Sequence, residues 1–252
     1  RPSRNGRRDA TRVPIHRFRQ GIDPLEPRAD DPREPAPDIF AGHLALADPS
    51  AAALRVAERI RPAGALAHAS TSDLELHLED WSLVRDEHDH LRLVAGDAAA
   101  GFHLELEFVP DKPLVLHGTR GYSQKGPEPG NASAYVSWTR SSLNGTLTSA
   151  MGPLAVTGSA WFDHEYGTSQ LPPGAVGWDW FAVQLDDGRE LMLYRLRDSQ
   201  GNVMPFSSGT WIEVEGTSRP LAARDFHVDA IGSWTSARSQ AIYPAAWRLR
   251  VP

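Results

Sequence analysis

The sequence contains no cysteine, which excludes disulfide bonds, thiolate metal sites and cysteine nucleophiles. No apolar run approaches the roughly 18 to 20 residues that a membrane-spanning helix needs, so no transmembrane segment is predicted. Phosphate-binding glycine loops, dinucleotide fingerprints and the Gly-x-Ser-x-Gly elbow of serine hydrolases are also missing. Lysine is scarce: the sequence contains two lysines, Lys112 and Lys125, among many arginines. These absences remove several enzyme classes, and no cofactor is predicted.

What is present is the composition of a globular protein. The 252 residues are 40% hydrophobic and 23% charged, which provides enough apolar material for a sizeable core. The formal net charge of −6 and the isoelectric point near 5.9 argue against nucleic-acid binding. We therefore expect a folded domain whose partner is not a nucleic acid.

Residues 1–37 differ from the rest of the chain. They contain nine arginines, seven prolines and six acidic residues, with few apolar residues and no periodicity. This composition cannot bury enough surface to offset the entropy of ordering the chain, so we predict a disordered or poorly packed lead. A basic arm for nucleic acid is the alternative, but the prolines and the interspersed acids favour a linker.

From Ile39 onward the pattern is that of short strands. Apolar and polar residues alternate over Leu74–Leu78 and again over Phe102–Phe108, as in half-buried strands. Asp187-Gly188 lies between two apolar runs and predicts a hairpin turn. A short helix is predicted over Ala51–Ile60, with Ser50 as its N-cap. Many strands with little helical periodicity predict an all-β, antiparallel barrel or sandwich.

Aromatic and acidic side chains are densest over Trp161–Gly167 and Gly177–Phe181. On a strand, Trp161, Asp163 and Glu165 share one face, since side chains alternate between faces. A carboxyl buried beside an indole acquires a raised pKa and becomes a general acid near neutral pH. The alternative is that the tryptophans are core anchors and that the Asp163-His164 dipeptide is a hydrogen-bonded structural pair.

The remaining histidines point less clearly to chemistry. Asp86–His90 has the composition of a metal site, but it lies in a polar segment between two strands and is predicted to be a solvated turn. His43, His77, His103 and His117 occur singly on predicted strands, and most of them are interpreted as ordinary sheet residues. No metal site is predicted.

Several motifs in series resemble a known family. They are Gly121–Gly126, Ala134–Arg140, Gly145–Leu147, Val156–Gly167 and Gly177–Gly188, preceded by Ile39–Asp48 and Leu78–Leu83. As an ordered set they look like the bacterial family of AttH-type lipocalin-like proteins and carotenoid 1,2-hydratases (hydroxyneurosporene synthases). The resemblance covers roughly residues 38 to 252.

The resemblance implies two consecutive lipocalin-like antiparallel β-barrel domains. We place the first over residues 38–172 and the start of the second over residues 173–252. The family usually opens with an aromatic-rich strand that residues 1–37 do not match, so we expect the first barrel to lack its opening strands. The second barrel is likewise expected to be incomplete.

The resemblance also implies a function and residue roles. Carotenoid hydratases add water to a terminal C=C of an acyclic isoprenoid, a hydro-lyase reaction in which an acid protonates the alkene. The expected proton donor is Asp163 or Asp179, with His164 orienting Asp163 or the water and Tyr194 as a further water-positioning candidate. The expected substrate-binding residues are Trp161, Tyr166, Trp178, Trp180 and Phe181.

Two other readings stay open. The first is a non-catalytic lipocalin-like carrier of an apolar ligand, associated with the cell envelope or an ABC-type exporter. The second is a cyclase-type isomerase of polyketide or terpenoid alkenes. In all three readings the partner is an apolar small molecule, with peripheral contact to a membrane allowed. The compartment remains open between the cell envelope and the membrane-peripheral cytoplasm.

Overall fold

The computed structural model describes residues 11–12, 15–18, 38–48, 53–167 and 172–251, with side chains from residue 38 onward. Over these residues the chain is almost entirely β-structure, which confirms the predicted all-β, lipocalin-like antiparallel fold. Its helical content in this part of the chain is one short 3-10 turn, Ala223–Asp225. Among the described residues, no helix is long and apolar enough to cross a membrane.

The strands of the described chain follow one another in this order: β1 (Thr11–Arg12), β2 (Ile15–Phe18), β3 (Ile39–Asp48), β4 (Ala53–Pro62), β5 (Ala67–Ala69), β6 (Glu75–Leu78), β7 (Trp81–Arg85), β8 (Leu91–Asp97), β9 (Phe102–Pro110), β10 (Val115–Leu116), β11 (Tyr122–Gln124), β12 (Ala132–Ser149), β13 (Gly152–Tyr166), β14 (Ala175–Gln184), β15 (Glu190–Asp198), β16 (Ser208–Ile212), β17 (Ser218–Ala222), β18 (His227–Thr235) and β19 (Ile242–Arg250).

The chain forms two compact units built from interleaved segments. The first unit comprises Arg1–Pro110 and Ser142–Ser159, and the second comprises Asp111–Ser141 and Ala160–Pro252. The long strands β12 and β13 each contribute one part to either unit. The sequence predicts a boundary between the two barrels at residues 172 and 173, after a separate lead of residues 1–37, and this division stays a prediction.

The first unit begins with a long hairpin. β3 and β4 pair over their whole length, from Asp48 opposite Ala53 to Ile39 opposite Pro62. The helix predicted over Ala51–Ile60 is therefore wrong from Ala53 onward, because pairing in a ten-residue ladder outweighs the helix propensity of its alanines. Ala51, Ala52 and the predicted N-cap Ser50 lie outside the described residues. The other edge of β3 pairs with β1 and β2, so two short strands occur within residues 1–37. The rest of that predicted lead lies outside the described residues.

The first unit continues as an antiparallel meander from β5 to β9. Its core includes the fully buried Trp81, whose indole N–H donates to the Gly96 carbonyl at 2.6 Å. Gly42 lies against this ring, and a Cβ there would come within 3.0 Å of it. The segment Asp86–His90 is a turn, as predicted, in which Asp86 accepts hydrogen bonds from the backbone N–H groups of His88 and His90.

The second unit contains the sheet β14–β17 and the hairpin β18–β19. The predicted turn at Asp187-Gly188 joins β14 to β15, and Gly188 adopts the positive φ of 88° that such turns require. Two apolar clusters pack on β15, and its side chains alternate between them. One cluster contains Tyr135, Met192, Tyr194 and Leu196, and the other contains Leu191, Leu193, Leu221 and Val228.

Candidate active site

One face of β12 carries a row of buried hydroxyl groups in the second unit. Ser133, Tyr135, Ser137 and Thr139 alternate along the strand, so their side chains point the same way. Each of the four donates a hydrogen bond to a carboxylate: Glu165, Asp163, Asp163 and Glu190 respectively. The strand therefore offers neutral donors to acids that the neighbouring strands bring in.

β13 brings Asp163 to this row. As the alternation predicts, Trp161 and Asp163 lie on one face, and the Trp161 indole N–H donates to Asp163 Oδ1 at 2.9 Å. The same oxygen accepts from Tyr135 Oη at 3.1 Å and from Ser137 Oγ. Three neutral donors thus converge on Oδ1, whereas Oδ2 receives no hydrogen bond from any residue that the structure describes.

This environment favours the protonated acid. Burial is the largest cause and raises the pKa of Asp163, and the nearby Glu165 charge adds to the shift, although the three hydrogen bonds oppose it. Because Oδ1 accepts three hydrogen bonds, Oδ2 is the oxygen that can carry the acidic proton. Asp163 therefore has the arrangement of a general acid: one oxygen anchored, the other available to carry a proton.

His117 completes the network behind Ser137. Its ring is fully buried, with Nε2 2.7 Å from Ser137 Oγ and Nδ1 2.8 Å from Thr210 Oγ1. Burial lowers the pKa of His117 to about 4, so the imidazole is neutral at physiological pH. Because Ser137 donates to Asp163, it accepts from His117 Nε2–H, and Nδ1 then accepts from Thr210. These hydrogen bonds fix the Ser137 hydroxyl, which in turn donates to Asp163.

Trp180 is tied to the acid through Tyr135. Its indole N–H donates to Tyr135 Oη at 3.0 Å, and that hydroxyl in turn donates to Asp163. Trp180 remains 38% exposed and shares its face of β14 with Trp178, which is 55% exposed. Two indoles with accessible surface therefore lie on the strand that is hydrogen-bonded to the acid's network.

A buried ion pair lies next to the same network. Lys125 Nζ pairs with Glu165 and donates to Ser133 Oγ at 2.7 Å. The ammonium also lies 5.5 Å and 5.1 Å from the ring centroids of Tyr135 and Tyr194. Burial lowers the pKa of Lys125 and raises that of Tyr194, whose hydroxyl is 3.1 Å from Ser123 Oγ. Tyr194 thus belongs to this cluster, as a neutral phenol beside a paired lysine.

Asp179, the other predicted proton donor, lies in a different environment. It faces away from Trp178 and Trp180 and accepts two hydrogen bonds from Arg195, at 2.9 and 2.6 Å. Arg197 Nε lies 3.1 Å from the same carboxylate oxygen. The contacts of Asp179 are those of a structural ion pair with two guanidinium groups. Phe181 shares that face and packs edge-on against Trp247, in the Leu191 cluster.

His164 and Tyr166 also lie apart from the acid. They occupy the opposite face of β13, where the His164 ring is 6.5 Å from Phe162 and 5.3 Å from Tyr166. Tyr166 is largely exposed. The prediction that His164 orients Asp163 gains no support from these contacts, because adjacent residues on a strand point to opposite faces. The residues that do hold Asp163 are Ser137, Tyr135 and Trp161.

The sequence reasoning missed the hydroxyl row and His117. A signal was available: Ser133-x-Tyr135-x-Ser137-x-Thr139 alternates hydroxyl side chains, whereas a solvent-facing strand usually mixes in charged ones. His117 gave no comparable signal, because its burial depends on strands that are distant in the sequence, such as β16, which carries Thr210.

Comparison with known proteins then identifies the relationship. The model of the AttH-like family matches residues 5–252, nearly the whole chain. The chain belongs to the AttH-like family. The resemblance seen in the sequence is thereby confirmed, and the match begins within the segment that was predicted to be a lead. A search of curated protein sequences gives no significant match.

Solved structures support the assignment of this AttH-like chain. The crystal structure of a protein assigned as AttH from Nitrosomonas europaea is similar with a TM-score of 0.82 and 31% identity, covering 95% of this chain and 70% of that one. Kievitone hydratase from Nectria haematococca is similar with a TM-score of 0.63 and 15% identity, covering 86% of this chain and 65% of that one. The second likeness shows a shared fold.

Proposed function

We propose that this AttH-like protein adds water to a carbon–carbon double bond of an apolar small molecule, with Asp163 as the proton donor. The observation that carries the proposal is the asymmetry of the Asp163 carboxyl group: Oδ1 accepts three hydrogen bonds, and no described residue bonds Oδ2. Burial raises the pKa of Asp163, as a general acid working near neutral pH requires.

The chemistry needs two bond-forming steps. The Oδ2–H proton of Asp163 passes to one alkene carbon, and the π electrons form the new C–H bond, leaving a cation on the neighbouring carbon. A water oxygen then forms the C–O bond, and the proton it loses returns to the Asp163 carboxylate. The sum is alkene plus water to alcohol, with the acid regenerated. No cofactor is needed for this balance.

The surroundings suit a short-lived cation. The indole faces of Trp178 and Trp180 carry negative electrostatic potential, and such faces attract cations. The charge of Lys125 would oppose a second positive charge, but Glu165 neutralises it by direct pairing. Tyr194 and Tyr135 provide neutral hydroxyls in the same cluster, with Tyr194 as the water-positioning candidate.

For the substrate, we propose an isoprenoid with a terminal double bond, such as an acyclic carotenoid. The Tyr135 cluster supplies an apolar lining, to which Trp161, Met204 and Phe206 add further surface. Protonation of a terminal isoprenoid alkene gives a tertiary cation, the kind that a neutral, aromatic environment can stabilise. That one relative of this fold is a hydratase supports the reaction type.

The test is mass spectrometry of lycopene and neurosporene after incubation with the full-length protein and its variants. We expect a product heavier by one water, and a fall in rate of about 10²- to 10⁴-fold for Asp163→Asn, the usual contribution of a general acid. Asp179→Asn distinguishes the two candidate proton donors, because this variant, once shown to be folded, should keep its turnover if Asp163 is the acid. Asp187→Asn, in the exposed β14–β15 turn, is the matched control.

Other outcomes would redirect the proposal. Carotenoid recovered bound but unchanged would make this a lipocalin-like carrier and the indoles a binding wall. Full turnover by Asp163→Asn would reject Asp163 as the acid. Loss of both ligand binding and turnover in a folded Asp163→Asn protein would show that the carboxyl group shapes the site and does not act as the acid.

A further inference from the structure

Three potential metal ligands meet on the short hairpin β5–β6 of the first unit. His68 and His77 are directly opposite each other in the ladder, and their rings stack with centroids 4.6 Å apart. Glu75 precedes His77 by two residues on the same face, with its Oε1 3.2 Å from His77 Nε2. One ligand atom from each residue lies within 4.8 Å of the other two.

These separations are close to those of a bound zinc ion. With Zn–N and Zn–O distances of about 2.0 to 2.2 Å, tetrahedral ligands lie roughly 3.3 Å from one another. The Glu75–His77 separation already meets this spacing. The His68 ligand atom lies within 4.8 Å of the other two and would have to move closer to them to meet this spacing. Two neutral imidazoles and one carboxylate give a receptor with one negative charge, which suits a divalent cation.

A second histidine–glutamate pair in the chain provides a comparison for His77 and Glu75, since His77 can also be interpreted as an ordinary sheet residue. His103 and Glu105 on β9 have the same spacing, with Nε2 and Oε1 3.5 Å apart. The residue opposite His103 is Gly96, so this pair has no facing imidazole. A histidine–glutamate pair on a strand is therefore not unusual in this chain. The distinguishing feature of the β5–β6 group is the second histidine.

We propose that His68, Glu75 and His77 form a binding site for a divalent transition metal of the zinc class. Three protein ligands leave a fourth position for water or another small ligand, as in open zinc sites. The ion would join β5 to β6 at an end of the meander, because no described strand pairs with the outer edge of β5. Its uptake would replace the His77–Glu75 hydrogen bond and fix both rings.

The test measures Zn²⁺ binding to untagged, metal-free, full-chain protein by calorimetry and by native mass spectrometry. We expect one Zn²⁺ per chain, and at least tenfold weaker binding in His68→Ala and in His77→Ala. Glu75→Gln should weaken binding too, because an amide lacks the carboxylate charge.

Controls come from the other histidines. His103→Ala and the double variant His88→Ala/His90→Ala should bind Zn²⁺ as the unaltered protein does. Circular dichroism checks that each variant is folded, which we expect because the substituted side chains are partly or largely exposed. Absence of binding at micromolar Zn²⁺ would overturn the proposal. So would a loss that follows the His88–His90 variant, or binding that survives both His68→Ala and His77→Ala.

Discussion

Two aspartates of the second unit show how the same side chain acquires different roles. Asp163 meets a serine, a tyrosine and a tryptophan, all neutral donors, whereas Asp179 lies between the guanidinium groups of Arg195 and Arg197. Burial disfavours the charged form of Asp163, and the hydrogen bonds from its neutral donors only partly offset this cost. The pKa of Asp163 therefore rises. The guanidinium groups instead engage Asp179 Oδ2 in ion pairs, so the donors of Asp179 are charged where those of Asp163 are neutral.

The difference comes from the strands opposite each aspartate. Asp163 faces the hydroxyl row of β12, and Asp179 lies directly across from Arg195 in the β14–β15 ladder. A carboxylate near tryptophan is therefore insufficient to indicate a general acid. Whether a carboxylate can serve as a general acid depends on whether its partner on the neighbouring strand is a neutral donor or a guanidinium group.

The largest expected effect concerns His117, whose neutral ring supports the Asp163 network. The pKa of His117 is lowered to about 4 in the folded protein, against about 6.5 in the unfolded chain. A lowered pKa means that stability is fully present above pH 6.5 and is lost as pH falls toward 4. The expected loss from this group is about 3 kcal/mol, measured by urea unfolding at several pH values.

His117→Gln isolates that effect, because an amide can still accept from Thr210 and donate to Ser137 but does not titrate. Its unfolding free energy should fall less steeply between pH 6.5 and 4 than that of the unaltered protein. Identical pH dependence in the two proteins would mean that other groups cause the acid sensitivity.

The next effect contrasts the two aspartates in stability. Asp179→Asn leaves Arg195 and Arg197 without their counter-charge, and we expect a loss of about 1 to 3 kcal/mol, since the pair is only partly shielded from solvent. Asp163→Asn removes a carboxylate whose charge is disfavoured by burial. The raised pKa makes the protein lose stability as pH rises through that value, and Asp163→Asn should remove this loss.

Chemical denaturation of both variants at pH 6 and pH 8 checks the contrast. The comparison fails if Asp163→Asn is destabilised as strongly as Asp179→Asn at the higher pH. Glu190→Gln supplies a further reference, because this fully buried carboxylate is paired with Lys112 and Arg140 and should behave like Asp179.

A smaller effect is expected from Ser137→Ala on the pH profile of hydration. The Ser137 hydroxyl stabilises the carboxylate form of Asp163, so its removal raises the pKa of that group further. Activity requires the protonated acid and declines as pH rises through this pKa. The declining limb of kcat/KM against pH should therefore move to higher pH in Ser137→Ala. A shift to lower pH would mean that the Asp163 carboxylate is not the titrating group.

Much of the fold could be predicted from the sequence, but only part of the site. Alternating residues correctly indicate strands such as β6 and β9, and the common face of Trp161 and Asp163 follows from the same period. Alanine content misled the prediction over Ala51–Ile60, because pairing with β3 is a long-range interaction. The partners of Asp163 and Asp179 belong to neighbouring strands, and no local pattern records which strand lies beside which.

The smallest expected effect is that of His164→Ala, and its smallness is informative. Adjacency to Asp163 in the sequence suggests an orienting role, whereas the ring lies beside Phe162 and Tyr166 on the opposite face of β13. We expect kcat/KM to change less than twofold, whereas Tyr135→Phe, which removes a direct donor to Asp163, should lower it several-fold. Comparing the two variants shows whether the activity of Asp163 depends on its hydrogen-bond partner on the neighbouring strand or on its neighbour in the sequence. A larger loss from His164→Ala than from Tyr135→Phe would reverse the assignment of faces on which the proposed site rests.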